Sequence, residues 1–221
     1  MSTRVQLINW LIEALGYKTY LEIGVRGGYT FNSVKLSNPL NKVGVDPAPA
    51  CCSGQILQMT SDEFFARHTA KYDIIFVDGD HGYEQAKRDF SSALWALTPR
   101  GCLVAHDVNP LKECWTREPP TGNTTENPKN VWMGGAWRAW AELRTLHEGK
   151  GYTVDCRDDL EDPFDCGVLL PWMLERAVFC NPVGVDYDWL EQHRGPALGG
   201  PVVFQWFKQV VLANASKETV A

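Results

Sequence analysis

The chain has 221 residues, 44% of them hydrophobic and 22% charged, a globular composition long enough to bury one full core. A formal net charge of −6 with scattered lysines and arginines argues against an extended nucleic-acid footprint and for a small-molecule or protein partner. Seven cysteines, odd in number and without CxxC pairs, argue against a disulfide framework and point to a reducing cytoplasm, each thiol being expected as a small buried hydrophobe.

At the N-terminus, the apolar positions of "VQLINWLIEALG" recur at helical spacing but are interrupted by Gln6, Asn9 and Glu13. That pattern predicts an amphipathic helix over 4–16 and not a signal or membrane segment. Four apolar runs follow: "TYLEIGV" (19–25), "KVGVD" (42–46), "YDIIFVD" (72–78) and "GCLVAHD" (101–107), each read as a strand buried on both faces. "QILQM" (55–59) reads as a further short strand. Between them "SDEFFARHTA", with Ser61 as expected N-cap, and "YEQAKRDFSSALWAL" carry helical spacing. Strand alternating with helix implies a parallel sheet with ligands at the carboxyl ends of its strands.

Residues 108–132 are rich in Pro, Asn, Thr and Glu, too polar for a core element, and are expected to form a lid. "MGGAWRAWAELRTLHEG" reads as a helix, and "YTVDCRDD" with "DCGVLLP" as a closing hairpin around a solvated acidic turn at 157–165. Further on, "VDYDWLEQHR" suggests a short helix, "GPALGGP" a loop, and "VVFQWFKQVVLANA" a terminal helix or strand. There is no internal repeat and no low-complexity tract.

The first strand runs into Gly24, Gly27 and Gly28, the layout in which a backbone turn lies flat against a cofactor. A dinucleotide turn wants G-x-G-x-x-G, but Arg26 stands two places after Gly24, which weighs against a nicotinamide oxidoreductase. The stretch instead resembles the E-x-G-x-x-x-G motif of class I S-adenosylmethionine-dependent methyltransferases, carried here by Glu22, Gly24 and Gly28. Asp46, ending the next strand, sits where an acid accepts the ribose hydroxyls, and Asp62 where the family often bonds the adenine amino group. Taken singly, the glycines read equally as plain turn residues, Asp46 as a cap and Asp62 as a helix start.

Asp78 ends the fourth strand and Asp107 the fifth, so the topology brings two carboxylates together; they repel unless one is protonated or a cation lies between them. With His106 as a candidate further ligand or partner, these oxygen-rich donors favour Mg²⁺, Ca²⁺ or Mn²⁺ over zinc. "FVDGDHGYEQAKRDF" with "ALTPRGCLVAHDVNP" resembles the type 24-like small O-methyltransferases and the metal-dependent sugar O-methyltransferases of macrolide and aminocoumarin biosynthesis. The resemblance implies Asp78 and Asp107 as metal ligands, Asp78 also as a cofactor contact, and Asp80 or His81 as general base. His106 stands where that family has a second acid. The rival for Asp80 and His81 is a cap on the helix that begins near Gly82.

The same resemblance implies an α/β fold, a Rossmann-like doubly wound, mostly parallel seven-stranded sheet with an antiparallel last strand and helices on both faces. The methyltransferase domain would occupy 1–171, and 172–221 would cap or extend it or build a homodimer interface. The expected activity is methyl transfer from S-adenosylmethionine to a small acceptor, with no nucleic acid or membrane as partner. A non-catalytic cofactor-binding protein is the second rival. Trp132, Trp137 and Trp140 could wall a substrate, although helical spacing favours the core for Trp140 and Leu143. Arg138 is expected on a solvated helix face, and His68, His147 and His193 at the surface or in satisfied packing.

Overall fold

A computed structural model describes residues 3–51, 55–120, 122–155, 166–173 and 186–217. The expected acidic turn at 157–165 lies outside the described residues. Along the chain come α1 (Thr3–Leu15), β1 (Tyr20–Ile23), α2 (Tyr29–Ser33), β2 (Lys42–Asp46), β3 (Ile56–Gln58), α3 (Ser61–Arg67), β4 (Tyr72–Val77), α4 (Tyr83–Ala96) and β5 (Leu97–Ala105). Then follow α5 (Ala136–Leu146), β6 (Gly151–Asp155), β7 (Cys166–Leu169), α6 (Tyr187–Leu198), β8 (Val202–Val203) and α7 (Phe204–Lys217). One sheet runs in the order β3-β2-β1-β4-β5-β7-β6-β8. β7 alone is antiparallel, to β5 and β6, giving the seven strands expected, and β8 adds a two-residue parallel edge on β6.

Strand alternation sorts the core into two layers. Leu21, Ile23, Ile75, Val77, Leu103 and Ala105 pack under α3 to α6, against Phe64, Phe90, Trp137, Trp140 and Leu198. Tyr20, Ile74, Phe76, Cys102 and Val104 face the other way, onto Leu7, Ile8 and Leu11 of α1, Phe31 of α2, and Phe207 and Val211 of α7. Each such large side chain, taken fully out of water, contributes about 1.5–3 kcal/mol before entropy is counted. The described cysteines, Cys51, Cys102, Cys114 and Cys166, are unbridged, and all but Cys51 are buried.

Three local expectations change. Thr60, not Ser61, is the N-cap of α3: its hydroxyl accepts from Glu63 N–H while the Glu63 carboxylate accepts from Thr60 N–H, a reciprocal capping box. β5 begins at Leu97, inside the stretch whose spacing predicts helix. "GPAL", expected as loop, is the last turn of α6 despite Pro196. Arg144 explains that turn: wholly buried, it donates from Nη1 to the carbonyls of Pro196 and Ala197, satisfying groups that a helix end leaves open. No helix among the described residues is long and apolar enough to cross a membrane.

Candidate active site

The parallel strands deliver their carboxyl ends to one cleft of about 990 Å³, lined among others by Glu22, Gly24, Asp46, Asp62, Asp78, Asp80, His81, His106 and Asp107. Gly24 is required at its position. Its φ is +87°, its N–H donates to Val45 O at 2.9 Å, and a Cβ there would stand 2.0 Å from Asp78 O. Asp46 is held by two N–H donors, Arg26 at 2.7 Å and Ala48 at 2.8 Å, which fix its carboxylate at the cleft rim. Asp62 stands in the first turn of α3, where Gln85 Nε2 reaches its Oδ1 at 3.4 Å. Gly28 does not line the cleft; it precedes α2 with φ +75° and packs against Cys51.

At the other end of the cleft the two acids meet two imidazoles and a guanidinium. His81 Nε2 lies 3.4 Å from Asp78 Oδ1, and its Nδ1 lies 3.2 Å from Asp107 Oδ2 and 3.0 Å from Trp132 O. His106 Nδ1 lies 3.1 Å from Asp78 Oδ1 and 3.2 Å from Asp107 Oδ1. On its far side His106 Nε2 faces Nη1 of Arg4 at 3.0 Å. Asp107 holds its place in a left-handed conformation, φ +56°, uncommon outside glycine and tolerated best by Asp and Asn.

Burial works against a charge on Asp78, but His106, His81 and Arg4 overcome it and hold the carboxyl far below the usual carboxylate range. Burial likewise opposes a proton on His106, while Asp107 and Asp78 pull its pKa up, to about 10. The hydrogen-bond geometry decides where that pull leads. A guanidinium only donates, so the contact with Arg4 needs a lone pair on Nε2, and a doubly protonated ring would set two donors against each other. The contact with Arg4 thus opposes that pull at Nε2, while the two carboxylates favour it at Nδ1. Glu22 is 1% exposed, and burial raises its pKa to about 8 although the Tyr20 hydroxyl donates to it at 2.5 Å.

Asp78, His81 and Asp107 can each turn one ligand atom toward a common point, all within 4.8 Å of one another. Two carboxylate oxygens and one imidazole nitrogen fit a hard divalent cation such as Mg²⁺ or Mn²⁺. His106, the further ligand expected from the sequence, stands outside this group, its Nδ1 against the two acids and its Nε2 against Arg4, and His81 takes the third place. Asp80 accepts from Gly82 N–H at 2.7 Å, a turn cap at the mouth of α4 whose carboxylate also faces the cleft. Trp132 lines the cleft with its ring 5.5 Å from that of His81, whereas Trp137 and Trp140 are core. Arg138 lies over the Tyr83 ring, His68 stacks on Phe64 and His193 on Trp189. Arg4 is the site residue that sequence spacing misses, since its partners lie 74 and 102 positions away.

Residues 21–108 match the sequence profile described as a methyltransferase domain. No curated protein matches the chain. Among solved structures, the O-methyltransferase from Bacillus cereus in complex with SAH superposes with a TM-score of 0.50 at 18% identity, over 77% of this chain and 81% of that one. The plantazolicin methyltransferase BpumL, in complex with a triazolic desmethylPZN analog and SAH, gives 0.52 at 11% identity, over 76% and 83%. At these identities the superpositions speak for the fold alone. Residues 21–108 thus carry a methyltransferase domain, set in a fold shared with these two solved methyltransferases.

Proposed function

We propose that the chain transfers the methyl group of S-adenosylmethionine to a hydroxyl of a small molecule, such as a sugar, a phenol or a related natural product. One observation carries this reading: Asp46 and the Asp78–His81–Asp107 triad line the same cleft on either side of the Gly24 turn. S-adenosylmethionine supplies a methyl on a sulfonium, already activated toward a nucleophile. Asp46 accepts hydrogen bonds from vicinal hydroxyls, and Asp62 can accept from an amino group at the far end. Glu22 and the Gly24 turn form the floor between them.

A hydroxyl needs help to lose its proton near neutral pH. His81 is the base favoured by position, because its Nδ1 is held by Trp132 O and Asp107 and its Nε2 is turned to Asp78. When the acceptor oxygen bonds to the methyl carbon, the carbon–sulfur bond breaks onto sulfur and the hydroxyl proton passes to Nε2. Asp80 is the less suited base, its carboxylate already capping the turn. A divalent cation held by Asp78, His81 and Asp107 would lower the hydroxyl's pKa. In that case His81 serves as ligand and the base role falls to Asp80. The indole of Trp132 offers an apolar wall for a sugar or aromatic ring.

Calorimetry with S-adenosylhomocysteine tests the cofactor half: the wild type should bind, Asp46→Ala should bind at least tenfold more weakly, and NAD should not compete. NAD binding with no response to S-adenosylhomocysteine overturns the reading. Incubation with methyl-labelled cofactor and a panel of sugars, catechols and amines tests the acceptor half. Label found only on nitrogen would remove the O-methylation.

A further inference from the structure

Arg4 brings a permanent charge into the cleft from α1, an element that shares no sequence neighbourhood with the strand ends. Its side chain is 19% exposed, and Nη1 lies 3.4 Å from Asp78 Oδ2 and 3.0 Å from His106 Nε2. The helix cannot readily withdraw it, because Leu7, Ile8 and Leu11 on the same helix are fully buried against the sheet. We propose that Arg4 is a positioning residue that fixes Asp78 and His106 from α1 and thereby holds down the affinity of the Asp78–His81–Asp107 triad for divalent cations. The proposal rests on reading that triad as a cation site.

The two oxygens of Asp78 are divided. Oδ2 faces Arg4, while Oδ1 faces His81 and His106. A cation entering the triad would share one carboxylate with a guanidinium that stays charged at every working pH. Two effects of Arg4 then oppose each other. By orienting Asp78 it helps a ligand, and outer contacts of that kind are worth about ten- to hundredfold in metal affinity. By placing a positive charge across one carboxylate from a divalent ion it repels that ion, an effect above about a hundredfold at an effective dielectric near 20. Repulsion wins, so the arginine lowers cation affinity. His106 reinforces the arrangement, since its ring spans from Arg4 at Nε2 to the same two acids at Nδ1.

The test is Mn²⁺ alone, titrated into the full chain by calorimetry and by the loss of the free-Mn²⁺ paramagnetic signal, with thermal melts alongside. Removing the charge in Arg4→Gln should tighten Mn²⁺ binding at least about tenfold, the balance of the two effects above. Arg4→Lys, which keeps the charge but draws it back from Asp78, should fall between that variant and the wild type. Adding His81→Gln to Arg4→Gln should cancel the gain, which locates the ion at the triad. Unchanged or weaker binding in a normally melting Arg4→Gln protein overturns the proposal while leaving the cation site standing. If Arg4→Gln does not fold, Arg4→Lys binding no tighter than wild type overturns it equally. Absence of Mn²⁺ binding in all variants overturns the cation site and the role of Arg4 with it.

Discussion

Burial disfavours a charge on His81, but Asp78 and Asp107 outweigh it and raise its pKa to about 9. A base must be free of its proton, so methyl transfer measured without added divalent ion should rise with pH toward about 9 and level off. His81→Gln should lose most of the rate and this rise together; a variant that kept the rise would remove His81 as the titrating base. Glu22 poses the opposite case, a carboxyl whose pKa burial raises from 4.5 to about 8. A raised pKa means that the group's stabilising contribution is complete below pH 4.5 and is lost as pH climbs through 8. Glu22→Gln keeps a neutral acceptor for the Tyr20 hydroxyl. Its stability relative to wild type should therefore grow between pH 4.5 and 8, by a few kcal/mol at most, since a tenfold change in proton affinity is about 1.4 kcal/mol. Urea melts across that range would show it, and a flat difference would mean that Glu22 is charged in the fold.

The loop of residues 108–132 is built around Asn127, which is 3% exposed, donates to Val131 O at 2.7 Å and accepts from Val131 N–H at 2.9 Å. Met133 and Gly134 then donate to Trp115 O at 2.9 and 3.0 Å, and Glu118 accepts from Tyr83 N–H at 3.1 Å. The loop thus ties Trp132 O to His81 and closes over the first turn of α4. Asn127→Ala should cost about 1–3 kcal/mol locally by leaving the Val131 groups without partners. Hydrogen exchange should speed up at Val131, Met133 and Gly134 while β4 stays protected; equal acceleration in β4 would show that the loop does not open as a separate unit. The sequence shows a long polar segment here, and Trp132 within it, but not the shape. That shape comes from one amide side chain closing a ring on the backbone four residues away, which periodicity does not register. The reverse holds for β1, β2 and β4, whose runs of Val, Ile and Tyr are buried on both faces, a pattern visible in one dimension. The acids at their ends were legible for the same reason, because a strand's end fixes where the next residue goes. Arg4 and the last turn of α6 were not, since both depend on a guanidinium meeting groups far away in sequence.

At the scale of the molecule, the C-terminal segment closes one layer of the core. Phe207 on α7 is fully buried, its ring 6.3 Å from that of Trp10 on α1 and 6.1 Å from that of Tyr152 on β6. The helix that presents Arg4 to the cleft is therefore backed by the helix that ends the described chain. If residues 172–217 extend the first domain and are not a separate unit, the whole protein unfolds as one cooperative system. Phe207→Ala then removes a ring from a packed layer at a cost of about 3–5 kcal/mol. The loss should appear as a melting point lowered by roughly 10 °C for a chain of this length. In urea, far-ultraviolet circular dichroism and tryptophan fluorescence should give coincident transitions, moved to lower midpoint with the slope unchanged. Two separated transitions, or a slope that falls in the variant, would mean that α7 and β8 melt away from an intact sheet. In that event the C-terminal segment is a detachable cap, and the position of Arg4 must be held by α1 and the sheet alone.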